Sequence, residues 1–153
     1  MYENILLCYD GSREGRLALR EGARLAQITG AAVTLLAVVE TAAGNVFAQG
    51  ANPAALSHQH SDFEAILDEG RQRLSAMGLA PGVRIETGDP VATIARVAAE
   101  SGADLVVVGH HRHGFLTRWL NRSIAAELGD SLGCSLLLAQ KVVEDAELFV
   151  TGG

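Results

Sequence analysis

Short continuous apolar runs alternate along the chain with segments whose apolar positions recur every three to four residues. Four runs are nearly free of polar side chains: residues 4–9 (NILLCY), 32–39 (AVTLLAVV), 105–108 (LVVV) and 136–139 (LLLA). Runs of this length, bounded by Gly, Asp and Ser, predict strands buried on both faces of a sheet. Residues 83–87 (VRIET) alternate instead, which predicts a strand at a sheet edge.

The intervening segments carry helix punctuation. Ser12 suits an N-cap, and Gly30 a C-terminal stop. Between them Leu17, Ala18, Ala23, Leu25, Ala26 and Ile28 form an apolar face opposite Arg13, Glu14, Arg16, Arg20, Glu21 and Arg24. Ser61 and Glu64 make a capping-box pair, so a second helix is expected over residues 62–77. Phe63, Ile66, Leu67, Leu74 and Met77 would face inward. This leaves residues 40–60 as a long polar and Ala-rich loop. Asp89 as N-cap with Pro90 at the first helical position predicts a third helix to about residue 101, burying Ile94, Ala95, Val97 and Ala98 and ending at Gly102. A fourth is expected from Ser123 to about residue 132, before Gly133.

Strands and amphipathic helices in strict alternation imply a three-layer α/β/α domain, a doubly wound parallel sheet with right-handed crossovers. The alternating strand belongs at an edge and the most apolar strands in the centre. The order 3-2-1-4-5 satisfies both. The winding then reverses between strands 1 and 4, and a ligand crevice is expected at their carboxyl ends, near Tyr9-Asp10 and Gly109-His110. The 153 residues suit a single domain, with a core over 1–141 and a tail over 142–153.

Composition narrows the function. With 48% hydrophobic and 20% charged residues the chain reads as globular. A net charge of −6 argues against general nucleic-acid binding, which rests on phosphate neutralisation. No stretch has the length of a membrane span, and the N-terminal residues have no signal-peptide pattern. A cytoplasmic location with Cys8 and Cys134 reduced is therefore expected. No G-x-G-x-x-G follows the first strand and no G-x-x-x-x-G-K-[ST] occurs, which argues against dinucleotide dehydrogenases and P-loop NTPases.

One stretch departs from the acidic whole. Between Gly109 and Ser123 lie Arg112, Arg118, Arg122, His110, His111 and His113, without an acid. A strand end, a cationic loop and a helix start make a place to hold an anion. The histidines are too crowded to share one metal ion readily and lack Cys or acid partners, so no metal site is expected. No Ser/His/Asp or Cys/His set is evident, and no catalytic residue is assigned.

NILLCYDGS, VTLLAVVE, the Gly88-Asp89-Pro90 helix start and ADLVVVGHHRHGF through NRSIAAEL, in this order and spacing, resemble the universal stress protein family over about residues 4–140. The resemblance implies an adenine nucleotide alpha hydrolase-like fold and a homodimer paired through the last strand (Leu136, Leu137, Leu138, Ala139). It also implies a crevice that in many members binds ATP or AMP, with Mg²⁺ as a companion ion. The positions implied there are Tyr9, Asp10 at the ribose, the Val38 backbone at the adenine, Gly109, Arg112, Arg122, Ser123 and Ile124. In the family's ATP-binding loop Gly109 matches the first glycine and Ser123 the final hydroxyl. Arg112 and Arg122 stand where two further glycines belong. Glycine lets a backbone approach phosphate closely, whereas arginine obstructs that approach but carries a phosphate-pairing guanidinium. Two readings follow: a non-enzymatic stress-response protein with weak or lost ATP binding, or a nucleotide sensor whose arginines contact phosphate. A slow ATP hydrolase or phosphatase is the alternative of another class, with Asp10 and the loop histidines its only candidate groups.

Overall fold

A computed structural model of the protein describes residues 1–11, 13–40, 53–109 and 122–139. In chain order the elements are β1 (Asn4–Cys8), α1 (Arg13–Thr29), β2 (Ala32–Glu40), α2 (Pro53–Ala76), β3 (Gly82–Gly88), α3 (Pro90–Ser101), β4 (Leu105–Gly109), α4 (Arg122–Ser131) and β5 (Ser135–Ala139). All five strands are parallel, in the order β3-β2-β1-β4-β5. This is the doubly wound arrangement that the apolar pattern predicts, with β1, β2 and β4 inside and the alternating strand at an edge.

Two apolar layers sandwich the sheet. On one face Ile5, Leu7, Tyr9, Leu35 and Val107 pack with Leu19, Ala23 and Ala26 of α1 and Leu67 and Leu74 of α2. On the other, Leu6, Leu36, Val38, Val106 and Val108 pack with Ile94, Val97 and Ala98 of α3 and Leu128 of α4. Successive strand residues point to opposite faces, so the continuous apolar runs serve both layers. At the base of the sheet the Asp104 carboxylate accepts from the Glu3 and Asn4 amides at 2.7 and 3.2 Å, aligning the starts of β1 and β4.

The expected caps of α3 are present. Asp89 is extended and its carboxylate accepts from the Ala92 amide at 2.9 Å; Gly102 ends the helix at φ 64°. Two expectations are corrected. α2 begins at Pro53, not near residue 62, so Ser61 and Glu64 lie inside the helix. Pro53 fits a first helical turn, and the Ala54-Ala55-Leu56 segment that follows favours the helix. Ile28 is 68% exposed and not part of the α1 core face. That face is formed by Gly15, Leu19, Gly22, Ala23 and Ala26. The Leu17 and Ala18 side chains lie outside the described residues.

Candidate functional site

The crevice follows from where the strands stop. β1 ends at Cys8, level with Leu36 of β2 and Val108 of β4. β2 continues to Glu40, and β4 to Gly109. One hydrogen bond prolongs the β1–β2 contact, the Tyr9 amide donating to the Leu36 carbonyl at 2.8 Å. In a parallel ladder a residue directs its N–H and C=O to the same neighbour, and alternate residues face alternate neighbours. Leu36 faces β1, so Val38, two residues on, turns its backbone groups to the same side, above the last β1 rung. A donor and an acceptor are thus presented at the strand ends beside Asp10.

Here too the winding reverses, since β2 and β3 lie to one side of β1 and β4 and β5 to the other. Open α/β sheets receive ligands at this reversal. Gly11, at φ 78°, turns the chain toward α1, and a Cβ on it would lie 2.8 Å from Ile66 Cγ2 of α2. A side chain at residue 11 would meet both backbone strain and the helix. The turn carrying Asp10 is thereby held against α2.

The structure brings Tyr9, Asp10, Val38 and Gly109 to these strand ends. The Tyr9 side chain does not enter the crevice: it is 4% exposed and belongs to the layer under α1 and α2. Burial raises its phenol above the ordinary value, the adjacent Arg16 guanidinium opposing that rise. Arg122, Ser123 and Ile124 form the first turn of α4, where a helix's amides have no partner within the helix. Their side chains lie outside the described residues, as do Arg112 and the histidines at 110, 111 and 113. Cys8, at the end of β1, is partly buried, and burial pushes its thiol up to about 12. Burial of this kind disfavours the thiolate, the form in which cysteine acts as a nucleophile. Among the described residues no three His, Cys, Asp or Glu side chains converge as a metal cluster would require. No helix there is long and apolar enough to cross a membrane.

A five-stranded parallel sheet in the order β3-β2-β1-β4-β5, with Asp10 and the Val38 backbone at its reversal point, defines a doubly wound α/β domain. Comparison narrows the class. The family model for universal stress proteins matches residues 1–140, and the chain belongs to that family. The universal stress protein Sll1654 of Synechocystis is 28% identical over 144 residues, spanning 90% of this chain and 85% of the relative. A crystal structure of a family member from Burkholderia pseudomallei superposes with a TM-score of 0.72 at 26% identity, covering 90% of this chain and 95% of that one. A universal stress protein solved in complex with cAMP superposes with a TM-score of 0.69 at 22% identity, over 91% of this chain and 97% of that one.

Proposed function

We propose that the protein serves in stress response by binding rather than catalysis, as a homodimer whose crevice at the β1 and β4 ends holds adenine nucleotide weakly or has lost ATP. The observation that carries this is the pairing of an intact frame with an altered loop. Asp10, the Val38 backbone, Gly109 and the α4 start supply the frame for ribose, base and phosphate. Arg112 and Arg122 stand where close-approach glycines belong in the family's ATP-binding loop. A Cβ at such positions costs the backbone-to-phosphate contacts that hold a triphosphate. Asp10 is a carboxylate that the end of β1 brings to this crevice, and among the described residues no cluster of three acidic, His or Cys side chains joins it. A companion Mg²⁺ would therefore depend largely on the nucleotide's own phosphates.

A second reading is favoured by the relative that carries cAMP: a mono- or cyclic phosphate is smaller, and one arginine suffices to pair with it. Thermal unfolding with ATP, AMP and cAMP, with and without Mg²⁺, separates the two. A ligand at 100 times its dissociation constant stabilises by about 2.7 kcal/mol. The proposed reading expects no such shift with millimolar ATP. A clear ATP shift overturns it, and Arg112→Gly and Arg122→Gly then tell obstruction, where binding tightens, from phosphate contact, where it weakens. Phosphate release abolished by Asp10→Asn would overturn the non-enzymatic part.

A further inference from the structure

The register of β1 with β2 and β4 ends at Cys8, and the Tyr9 amide adds one bond to Leu36. Asp10 lies beyond the last rung, so the ladder does not fix its position. One turn of α2 meets the chain on both sides of it. Gly70 rests on the Tyr9 ring, where a Cβ would lie 2.8 Å from Cδ1 and 2.9 Å from Cε1. Ile66 lies against Gly11: a Cβ on Gly11 would stand 2.8 Å from Ile66 Cγ2, 3.0 Å from Cγ1 and 3.2 Å from Cδ1. Each Cα is one bond from that point, so both glycines are in van der Waals contact with their partners. Arg16 of α1 brings its Nε to 3.4 Å from Glu69 Oε1.

Residues 66, 69 and 70 share one face of a helix, at the i, i+3 and i+4 spacing. They form one surface on which residues 9, 11 and 16 rest, with Asp10 between the first two. α2 is itself anchored well below this turn. Leu67 and Leu74 are buried in the layer beneath it, and just past its end the Met77 carbonyl accepts from Gln27 Nε2 of α1 at 2.7 Å. A helix fixed along its length in this way is a firm support for a turn that no strand pairing holds.

We propose that Ile66 is a positioning residue for Asp10. Seated on Gly11 while Gly70 is seated on Tyr9, it sets where the Asp10 backbone, and so its carboxylate, stands in the crevice. What the carboxylate meets there rests on the nucleotide reading of the crevice; how it is held does not. A β-branched side chain suits the role, because isoleucine in a helix strongly prefers one χ1 rotamer and so keeps Cγ1 and Cγ2 in place. Gly11 completes the contact from the other side: at φ 78° a side chain would be strained and would drive into Ile66.

The test follows Asp10 and Gly11 by NMR in the full chain, through their amide signals, the Asp10 carboxyl signal and the exchange rates of the two amides. Ile66→Ala removes both Cγ atoms. It should move these signals and speed the exchange by about tenfold, as local opening becomes easier, while the Gly109 amide at the end of β4 stays as in the parent. Ile66→Val keeps Cγ1 and Cγ2 and should match the parent. Val97→Ala deletes two methyl groups from the fully buried layer on the other face of the sheet, and should leave Asp10 and Gly11 unchanged. Titration with AMP and with cAMP gives a second reading. Where the parent binds, Ile66→Ala should lose roughly tenfold in affinity, because the carboxylate must then be ordered on binding, and Ile66→Val should lose none. If the parent binds neither, the crevice is no site for these nucleotides, and the Asp10 and Gly11 signals alone decide the proposal. Unmoved signals in Ile66→Ala overturn it. So does a Val97→Ala protein that moves them equally, an Ile66→Val protein that behaves as Ile66→Ala, or an Ile66→Ala protein that binds nucleotide as tightly as the parent.

Discussion

Glycine sets the distance between helices and sheet on the α1–α2 face. A Cβ on Gly22 would lie 2.5 Å from Leu7 Cδ2 and 3.2 Å from Val107 Cγ1, and one on Gly70 would meet Leu35 at 2.8 Å as well as the Tyr9 ring. Neither position stands out in a hydrophobic pattern, because a glycine contributes contact through what it lacks. For this reason Gly15 and Gly22 were not legible on the apolar face of α1; Ala23, Ala26 and the half-buried Leu25 were, Leu19 was missed, and Ile28 was misassigned. The same substitution should act with opposite signs at two helical glycines. Gly70→Ala forces a rigid ring and a buried leucine to move, and should destabilise by about 1–3 kcal/mol despite the better helix propensity. Gly129→Ala of α4 has nothing within 4 Å of the new Cβ, and should stabilise by up to about 1 kcal/mol. Urea unfolding of both variants checks the pair; a Gly70→Ala protein as stable as its parent would show that α2 can rise off the sheet freely.

The elements were most legible where sequence punctuation is chemical. Asp89-Pro90 and Gly102 bound α3 because a carboxylate, a fixed φ and a left-handed residue each satisfy a particular need of a helix end. The start of α2 was misread because Ser61 and Glu64 make a capping pair only when the chain before them is not helical. The edge strand β3 was recognised by its alternation, but its partners were not. Arg84 donates to Glu86 and Glu100 at 2.6 and 2.8 Å, and Arg96 of α3 to the same two carboxylates at 2.9 Å each. Arg84 first and then Arg96 hold Glu86 below its ordinary value of 4.5; for Glu100 the order is Arg96, then Arg84. A carboxylate whose folded value lies below its unfolded one binds fewer protons in the native state. Its stabilisation is therefore present above about 4.5 and is lost as pH falls through the lower folded value. The groups are solvent-accessible, so the effect is small and screened by salt. Arg84→Met should raise the titration midpoints of both glutamates and flatten the acid side of the stability profile at low salt. Carboxyl NMR titration reads the first effect and urea midpoints between pH 3 and pH 6 the second; midpoints unchanged by the substitution would mean the network does not persist in solution.

At the scale of the whole molecule, strand hydropathy placed the reversal of the winding, because the most apolar strands must be central and a central β1 forces the winding to reverse beside it. The arginines proposed to decide what the crevice holds were legible only through the family's loop pattern: Arg112 lies outside the described residues, and of Arg122 only the backbone is described. The two sheet edges, by contrast, can be compared directly. β3 carries Arg84 and Glu86, closed by the ion pairs to α3, and charged side chains of this kind discourage pairing with another chain. β5 reads SLLLA, without a charge, and its Leu136, Leu137 and Leu138 are only partly buried, whereas Leu105 to Val108 beside it are fully so. Among the described residues nothing pairs with its outer edge, and such an aliphatic edge strand exposes both apolar surface and unpaired backbone groups. A second copy of the chain, meeting it about a two-fold axis, would cover both. Light scattering at micromolar concentration should therefore give the mass of a dimer. Leu138→Lys should give a monomer that keeps the helical circular dichroism of the parent, because its side chain sits at the rim of the apolar layer rather than in its centre. Val83→Lys, on the β3 edge where Val83 is already 42% exposed, should leave the mass unchanged. A monomeric parent, or a Leu138→Lys protein that remains dimeric while Val83→Lys dissociates, would assign the pairing edge wrongly and remove the last strand from the interface.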